Sequence, residues 1–238
     1  MVFSFFNCFT PNKTPLNIKM KYLNLAVILI IFTFSPTKTL AKDDNLNLIG
    51  HFSAGKLTNW NNKTFSGLTQ YQIVQLEGSQ VLKAESHSGA SGLFKEQRID
   101  LHKTPFLNWR WRINNRLGNL NEQSKSGDDY SARVYVVISG GWAFWKTKAI
   151  NYVWASSTAK GSVWPNAFAG KNAMMIALRS NNDKPHTWYQ EKRNILQDLK
   201  AQFGDDIRYI DAIALMTDTD NAHGDAIAYY GDIYFSEK

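Results

Sequence analysis

The sequence predicts an all-β chain: an antiparallel two-sheet β-sandwich of jelly-roll type with one short helix. Three observations predict it. Short runs rich in β-branched and aromatic residues follow one another, separated by Gly, Asn, Asp, Ser and Pro. Several runs alternate with period two, most clearly "NWRWRI". Only "NILQDLKAQFG" sets apolar residues at helical spacing.

The first element is not part of the fold. From Met20, a basic Lys21 precedes an apolar run over residues 23–34, and Thr39 and Ala41 stand where a leader peptidase expects small residues. The run is shorter than the roughly 20 residues a spanning helix needs. Residues 20–41 are therefore expected to be a cleaved signal peptide, with no membrane span afterwards. Residues 1–19 are expected to be an upstream extension ahead of a true start at Met20, and residues 42–238 a single domain large enough to bury a core. The expected location is the periplasm or the medium.

Removing residues 1–41 changes the chemistry open to the chain. Cys8, the only cysteine, goes with them, which excludes disulfide, zinc-thiolate and thiol-nucleophile functions. Lys13, Lys19, Lys21 and Lys38 go as well, without any acid, so the formal net charge falls from +7 to +3. No basic stripe remains, and no nucleic-acid partner is expected.

Strands are expected in "LIGHFS" from Leu48, "YQIVQLE" from Tyr71, "VLKAES" from Val81, "SGLFKEQ" from Ser91 and "FLNWRWRI" from Phe106. Further strands are expected in "ARVYVVIS" from Ala132, "INYVWAS" from Ile150, "AMMIALRS" from Ala173, "TWYQEKRN" from Thr187, "IDAIALMT" from Ile210 and "AIAYYGDIYF" from Ala226. "EGSQ" reads as a hairpin turn joining the second and third of these. The helix places Ile195, Leu196, Leu199 and Phe203 on one face and stops at Gly204, a residue suited to a C-terminal cap.

Alternation also assigns faces. Trp109, Trp111 and Ile113 point to one side and are expected in the core, leaving Arg110 and Arg112 on the other. Arg133 shares a parity with Tyr135, Tyr152 with Trp154, and Glu191 with Tyr189 and Arg193. Guanidinium groups grip carboxylates and sulfates bidentately, and aromatic faces stack on apolar rings. Arg110, Arg112, Arg133, Tyr152, Trp154, Glu191 and Arg193 are therefore expected to form a ligand-binding face suited to an acidic glycan. Asp128 and Asp129, just before a strand, are expected in a turn that salt-bridges an arginine. Together with Asp218 and Asp220 they are expected to form its polar rim.

"MTDTDNAHGDA" reads as the polar tip of a hairpin. Its Asp218, Asp220 and Asn221 begin like a calcium loop, but Gly224 stands one position late and the closing glutamate is missing. No metal site and no cofactor are assigned; a structural calcium at Asp218 and Asp220 is the one alternative. The hydrolase, zincin, phosphate-loop and dinucleotide motifs are missing, and the five histidines are scattered. No catalytic residue is assigned.

"LNWRWRI", "GDDYSARVYVV", "AINYVWAS", "EKRNILQDLKAQFG" and "IALMTDTDNAHGDAIAYYGDIYF" together resemble the bacterial family known as domain of unknown function 3047, over most of residues 48–236. The resemblance implies an exported protein of Gram-negative bacteria and names no activity. "AIAYYGDIYF" is also similar to the last strand of carbohydrate-binding jelly rolls, which implies a calcium-holding role for Asp232. The expected function is an exported, non-catalytic glycan-binding protein. The alternatives are a lyase or hydrolase of acidic polysaccharides and an envelope assembly protein; the oligomeric state is left open.

Overall fold

The computed structural model describes residues 46–204 and 206–238. The expected extension and leader, residues 1–19 and 20–41, and the first residues of the expected domain lie outside the described residues. Two seven-stranded sheets face each other. Among the described residues, no helix is long and apolar enough to cross a membrane.

The first sheet contains β1 (Asn47–Gly50), β3 (Thr69–Leu76), β4 (Ser79–His87), β6 (Phe106–Ile113), β11 (Tyr189–Asn194), β13 (Asp225–Tyr230) and β14 (Ile233–Ser236). The second contains β2 (Asn61–Ser66), β5 (Ala90–Asp100), β7 (Arg133–Ile138), β8 (Lys148–Trp154), β9 (Val163–Asn166), β10 (Gly170–Arg179) and β12 (Tyr209–Asp218). It runs in the order β2-β5-β12-β7-β8-β10-β9. The helix α1 spans Ile195–Phe203, within the expected bounds. The Asn194 side chain accepts from the Gln197 amide, and Gly204 closes the helix at φ 70°.

Each sheet turns its large apolar side chains toward the other. Trp109 and Trp111 meet edge-on in this layer, centroids 5.6 Å apart, as their alternation predicts. Val134, Val136, Ile150, Ile213 and Leu215 face them from the second sheet. The hairpin at Glu77 and Gly78 forms with both residues at positive φ, the geometry that suits the right-handed twist of paired strands.

Four features differ from expectation. β2 and β9 are additional strands, both at sheet edges. β2 reads "NNKTFS", too polar to show a strand pattern, and β9 contains Pro165, which only an edge tolerates readily. β10 lies parallel to β8, because edge strand β9 intervenes between them in the chain. The expected last strand is two, β13 and β14, which pair with successive halves of β6. They break at Gly231, where a Cβ would strike the Arg110 side chain at 2.5 Å, and at Asp232, which accepts hydrogen bonds from the Ser53 amide and hydroxyl. Finally, residues 219–224 are no hairpin tip: they carry the chain from β12 in the second sheet to β13 in the first.

Candidate functional site

The outer face of the second sheet is built from small residues. Along β12 the alternation Ala212, Ala214, Met216 and Asp218 points outward while Ile213 and Leu215 point into the core. Ala90 of β5, Ala149 of β8 and Ala173 of β10 extend this floor across the neighbouring strands. Small side chains in register leave a depression that larger residues around them wall in. The result is a shallow pocket whose interior cavity measures about 30 Å³ and which opens to solvent. Phe65, Tyr135 and Phe168 are its aromatic walls, and Asp128, Arg133, Asn151, Asn166 and Asp218 its polar lining.

At the polar end Arg133 is only 3% exposed and fully engaged. Its Nε donates to Asp218 Oδ1 at 2.8 Å, and Nη2 donates to Asp218 Oδ2 and to the Asp128 carbonyl. Nη1 donates to the Tyr135 hydroxyl at 3.2 Å and lies 3.7 Å from Asp128 Oδ2. The guanidinium also stacks 4.2 Å from the Tyr130 ring centroid. Burial opposes its charge most strongly, but Asp218, Tyr135, Asp128 and Tyr130 together outweigh it and hold the pKa above the ordinary arginine value. Asp128 accepts from Asn166 Nδ2 on both oxygens, at 3.1 and 3.0 Å, and burial pushes its carboxyl above the usual range.

Asp129 ties the loop after β12 to the strand mouth. It accepts from the backbone amides of Asn221 and Ala222 and from Asn221 Nδ2. Asp129, Asp218 and Asp220 each bring a carboxylate oxygen within 4.8 Å of the others, the arrangement among the described residues that could hold a cation. Asp129 is spent on that loop and Asp218 on Arg133. Asp220 accepts from Asn221 Nδ2, and its pKa is raised by burial and by the neighbouring Asp129.

The residues expected to share one binding face fall in three places. Arg133, Asp128, Asp129, Asp218 and Asp220 gather at the pocket's polar end, and the expected salt bridge to an arginine forms. Tyr152 and Trp154 lie in the core between the sheets, at 0% and 2% exposure, because the β8 parity that faces outward is Ala149 and Asn151. Glu191 and Arg193 share that inner side. Glu191 accepts from Trp111 Nε1 and pairs with Arg179, and Arg193 pairs with Asp198 of α1. Arg110 and Arg112 lie on the outer face of the first sheet, Arg110 over the Trp188 ring and Arg112 paired with Glu77. The four arginines thus share no single face, because β6, β7 and β11 turn theirs in three directions.

Phe65, Asn151, Asn166 and Phe168, with Val137, Ala149, Ala173 and Met216 beneath them, are the pocket residues that motif reading misses. One signal marks them in the sequence: in "DAIALM" and "AINYVW", small residues alternate with large apolar ones, a strand with a recessed outer face.

Three solved structures resemble the fold. A carbohydrate-binding module of the β-sandwich superfamily matches at TM-score 0.42 and 11% identity, over 77% of this chain and 60% of that one. The family 11 module from Clostridium thermocellum, in complex with a mixed-linked β-1,3-1,4 tetrasaccharide, matches at 0.43 and 12%, over 81% and 95%. The family 30 module of a cellulosomal cellulase from the same organism matches at 0.48 and 9%, over 81% and 98%. No curated protein matches the chain in sequence. A family model described as a protein of unknown function, DUF3047, matches residues 58–234, and the chain belongs to that family.

Proposed function

We propose that this is an exported glycan-binding protein that lays a saccharide across the shallow pocket on the outer face of the second sheet, without cleaving it. The observation that carries the reading is the pocket itself: an apolar floor, aromatic walls and a cluster of carboxylates and amides converging at one end. Sugar rings have apolar faces and hydroxyl edges, and such a lining matches both. A second aromatic group stands at the other end. Val137 and Ala149, the pocket residues farthest from Arg133 on their strands, flank the loop 139–147, which holds the fully exposed Trp142 and the exposed Trp145. Asn172, next to floor residue Ala173, donates to the Trp145 carbonyl and anchors that loop beside the pocket. A glycan leaving the pocket there meets rings on which to stack.

At this pocket an acidic glycan meets no open arginine fork; Arg110, over Trp188, stands on the opposite face. Arg133 is paired with Asp218, Arg112 with Glu77 and Arg193 with Asp198, so none of the three offers a free fork to a uronate. The test is a glycan array probed with residues 42–238, followed by calorimetry on the hits with wild type and Phe168→Ala. Binding that Phe168→Ala weakens is the expected result. An array without hits, or affinity indifferent to Phe168, removes the reading. Release of new reducing ends from a bound polysaccharide replaces it with the hydrolase.

A further inference from the structure

The break between β13 and β14 opens a cleft on the outer face of the first sheet. Its interior measures about 220 Å³, and it is lined by Ser53, Trp109, Arg110, Gln190, Asp232 and Tyr234. Arg110 is its cation. The side chain crosses the backbone at Gly231, where a Cβ would strike Cγ and Nε at 2.5 Å, and its guanidinium lies 4.6 Å from the Trp188 ring centroid. Trp188 is held in turn, its Nε1 donating to Glu77 Oε2 at 2.9 Å. Arg110 is thus wedged in place and only partly buried, and among the described residues its guanidinium has no hydrogen bond or ion pair. Arg112, Arg133, Arg179, Arg193 and Arg208, by contrast, each hold a carboxylate. An ordered fork without a partner binds a carboxylate with little further loss of rotamer freedom.

A second cation stands beside it. Gln190 pairs with Arg110 and Lys192 with Asn108, so Lys192 is the diagonal neighbour of Arg110 on the same face. Its Nζ lies 4.8 Å from the Phe106 centroid, and among the described residues it has no acid partner. Asp232, the acid of the lining, accepts from the Ser53 amide and hydroxyl. β6 is paired on both sides, by β11 and by β13 and β14, so no backbone edge is open here to an added peptide strand. A ligand meets side chains alone: two cations, the Gln190 amide and the Tyr234 phenol.

We infer that this cleft is a second binding site, independent of the pocket on the other sheet, and that it takes a saccharide bearing carboxylates. The Arg110 fork grips one uronate, Lys192 faces the next, and Gln190 and Tyr234 meet ring hydroxyls.

Calorimetry at neutral pH and low salt tests it with oligogalacturonate, galactose oligomers of the same linkage and length, and oligoglutamate. Arg98 supplies the control: it lies on the second sheet, 4.3 Å from the Tyr209 centroid, so Arg98→Gln removes the same charge from elsewhere. Arg110→Gln is expected to weaken oligogalacturonate binding about tenfold, and Lys192→Gln up to about fivefold, with Arg98→Gln close to wild type. Binding of galactose oligomers should not depend on Arg110. Absence of oligogalacturonate binding, indifference to Arg110→Gln, or an equal loss in Arg98→Gln overturns the inference. Oligoglutamate bound as tightly, with the same dependence on Arg110, replaces the saccharide by an acidic peptide and overturns it too. Phe168→Ala, which tests the pocket, should leave oligogalacturonate binding unchanged, so the two sites fail separately; a loss there places the uronate in the pocket and removes the second site.

Discussion

The outer faces of the two sheets began as equals in the sequence. β6 sends Arg110 and Arg112 outward, and β7 sends Arg133 outward beside Tyr135. On the first sheet, Arg110 covers Trp188 with its guanidinium 4.6 Å from the ring, and Arg112 sits beside Tyr229 and reaches the largely exposed Glu77. Long side chains there fill the face, save at the break between β13 and β14. On the second sheet, the strands flanking β7 present alanines, and the face sinks into a pocket with Arg133 held beneath its polar end. A strand's own pattern says which residues point outward. Whether they stand on a surface or line a cavity depends on the size of the residues in register on the next strands.

The largest expected difference between the two faces is electrostatic. Asp218→Ala strands the Arg133 charge in a dry site and is expected to cost about 3–5 kcal/mol. Glu77→Ala removes the half-exposed partner of the buried Arg112, which keeps His186 Nδ1 beside it, and is expected to cost less, about 1–3 kcal/mol. Guanidinium unfolding midpoints at constant m-value compare them. Equal costs would mean that Asp218 holds Arg133 no more strongly than the half-exposed Glu77 holds Arg112.

Filling the pocket sharpens the comparison next. Ala173→Leu grows into the pocket rather than the core, so its stability cost should stay below the about 1–3 kcal/mol of overpacking a filled interior. Glycan affinity should fall by about tenfold or more as the cavity volume is lost. Arg110→Ala, on the opposite face, should leave the affinity for a neutral glycan unchanged and cost about 0.5–1 kcal/mol of stability through its contact with Trp188. If Arg110→Ala weakens neutral-glycan binding and Ala173→Leu does not, that site belongs on the first sheet.

The smallest effect concerns acid. At the far end of β12, Arg208 grips Asp100 at 2.7 Å and, as the main cause, lowers the carboxyl pKa to about 2. A depressed folded-state pKa contributes stability above the unfolded value, 3.8, and that contribution is lost as pH falls through about 2. Arg208→Ala should therefore narrow the stability gap to wild type as pH drops from neutral toward 2. A gap that widens on acidification would show that Asp100 is not the group Arg208 holds.

Much of the fold was legible because it depends on local pattern. The period-two runs placed most strands, Trp109 and Trp111 announced the core, and Asn194 and Gly204 bounded the helix. β2 and β9 were hidden because edge strands need little apolar content. The site was half legible. Asp128, Asp129, Arg133, Asp218 and Asp220 do meet, as their clustering in "GDDYSAR" and "TDTD" foreshadowed. Tyr152, Trp154, Glu191 and Arg193 were assigned to a binding face because parity within one strand does not say which parity faces in.

The sequence by itself determined the strand pattern, the helix over residues 195–203 and the family, since each follows from residue types at short spacing. Only the tertiary structure decided which face of each strand is buried, that Arg133 and Asp218 join across a sequence separation of 85, and that alanines from β5, β8, β10 and β12 lie side by side. A pocket is a property of neighbouring strands in space, and the order in which strands pair is fixed by the packing of the whole sandwich rather than by any one of them.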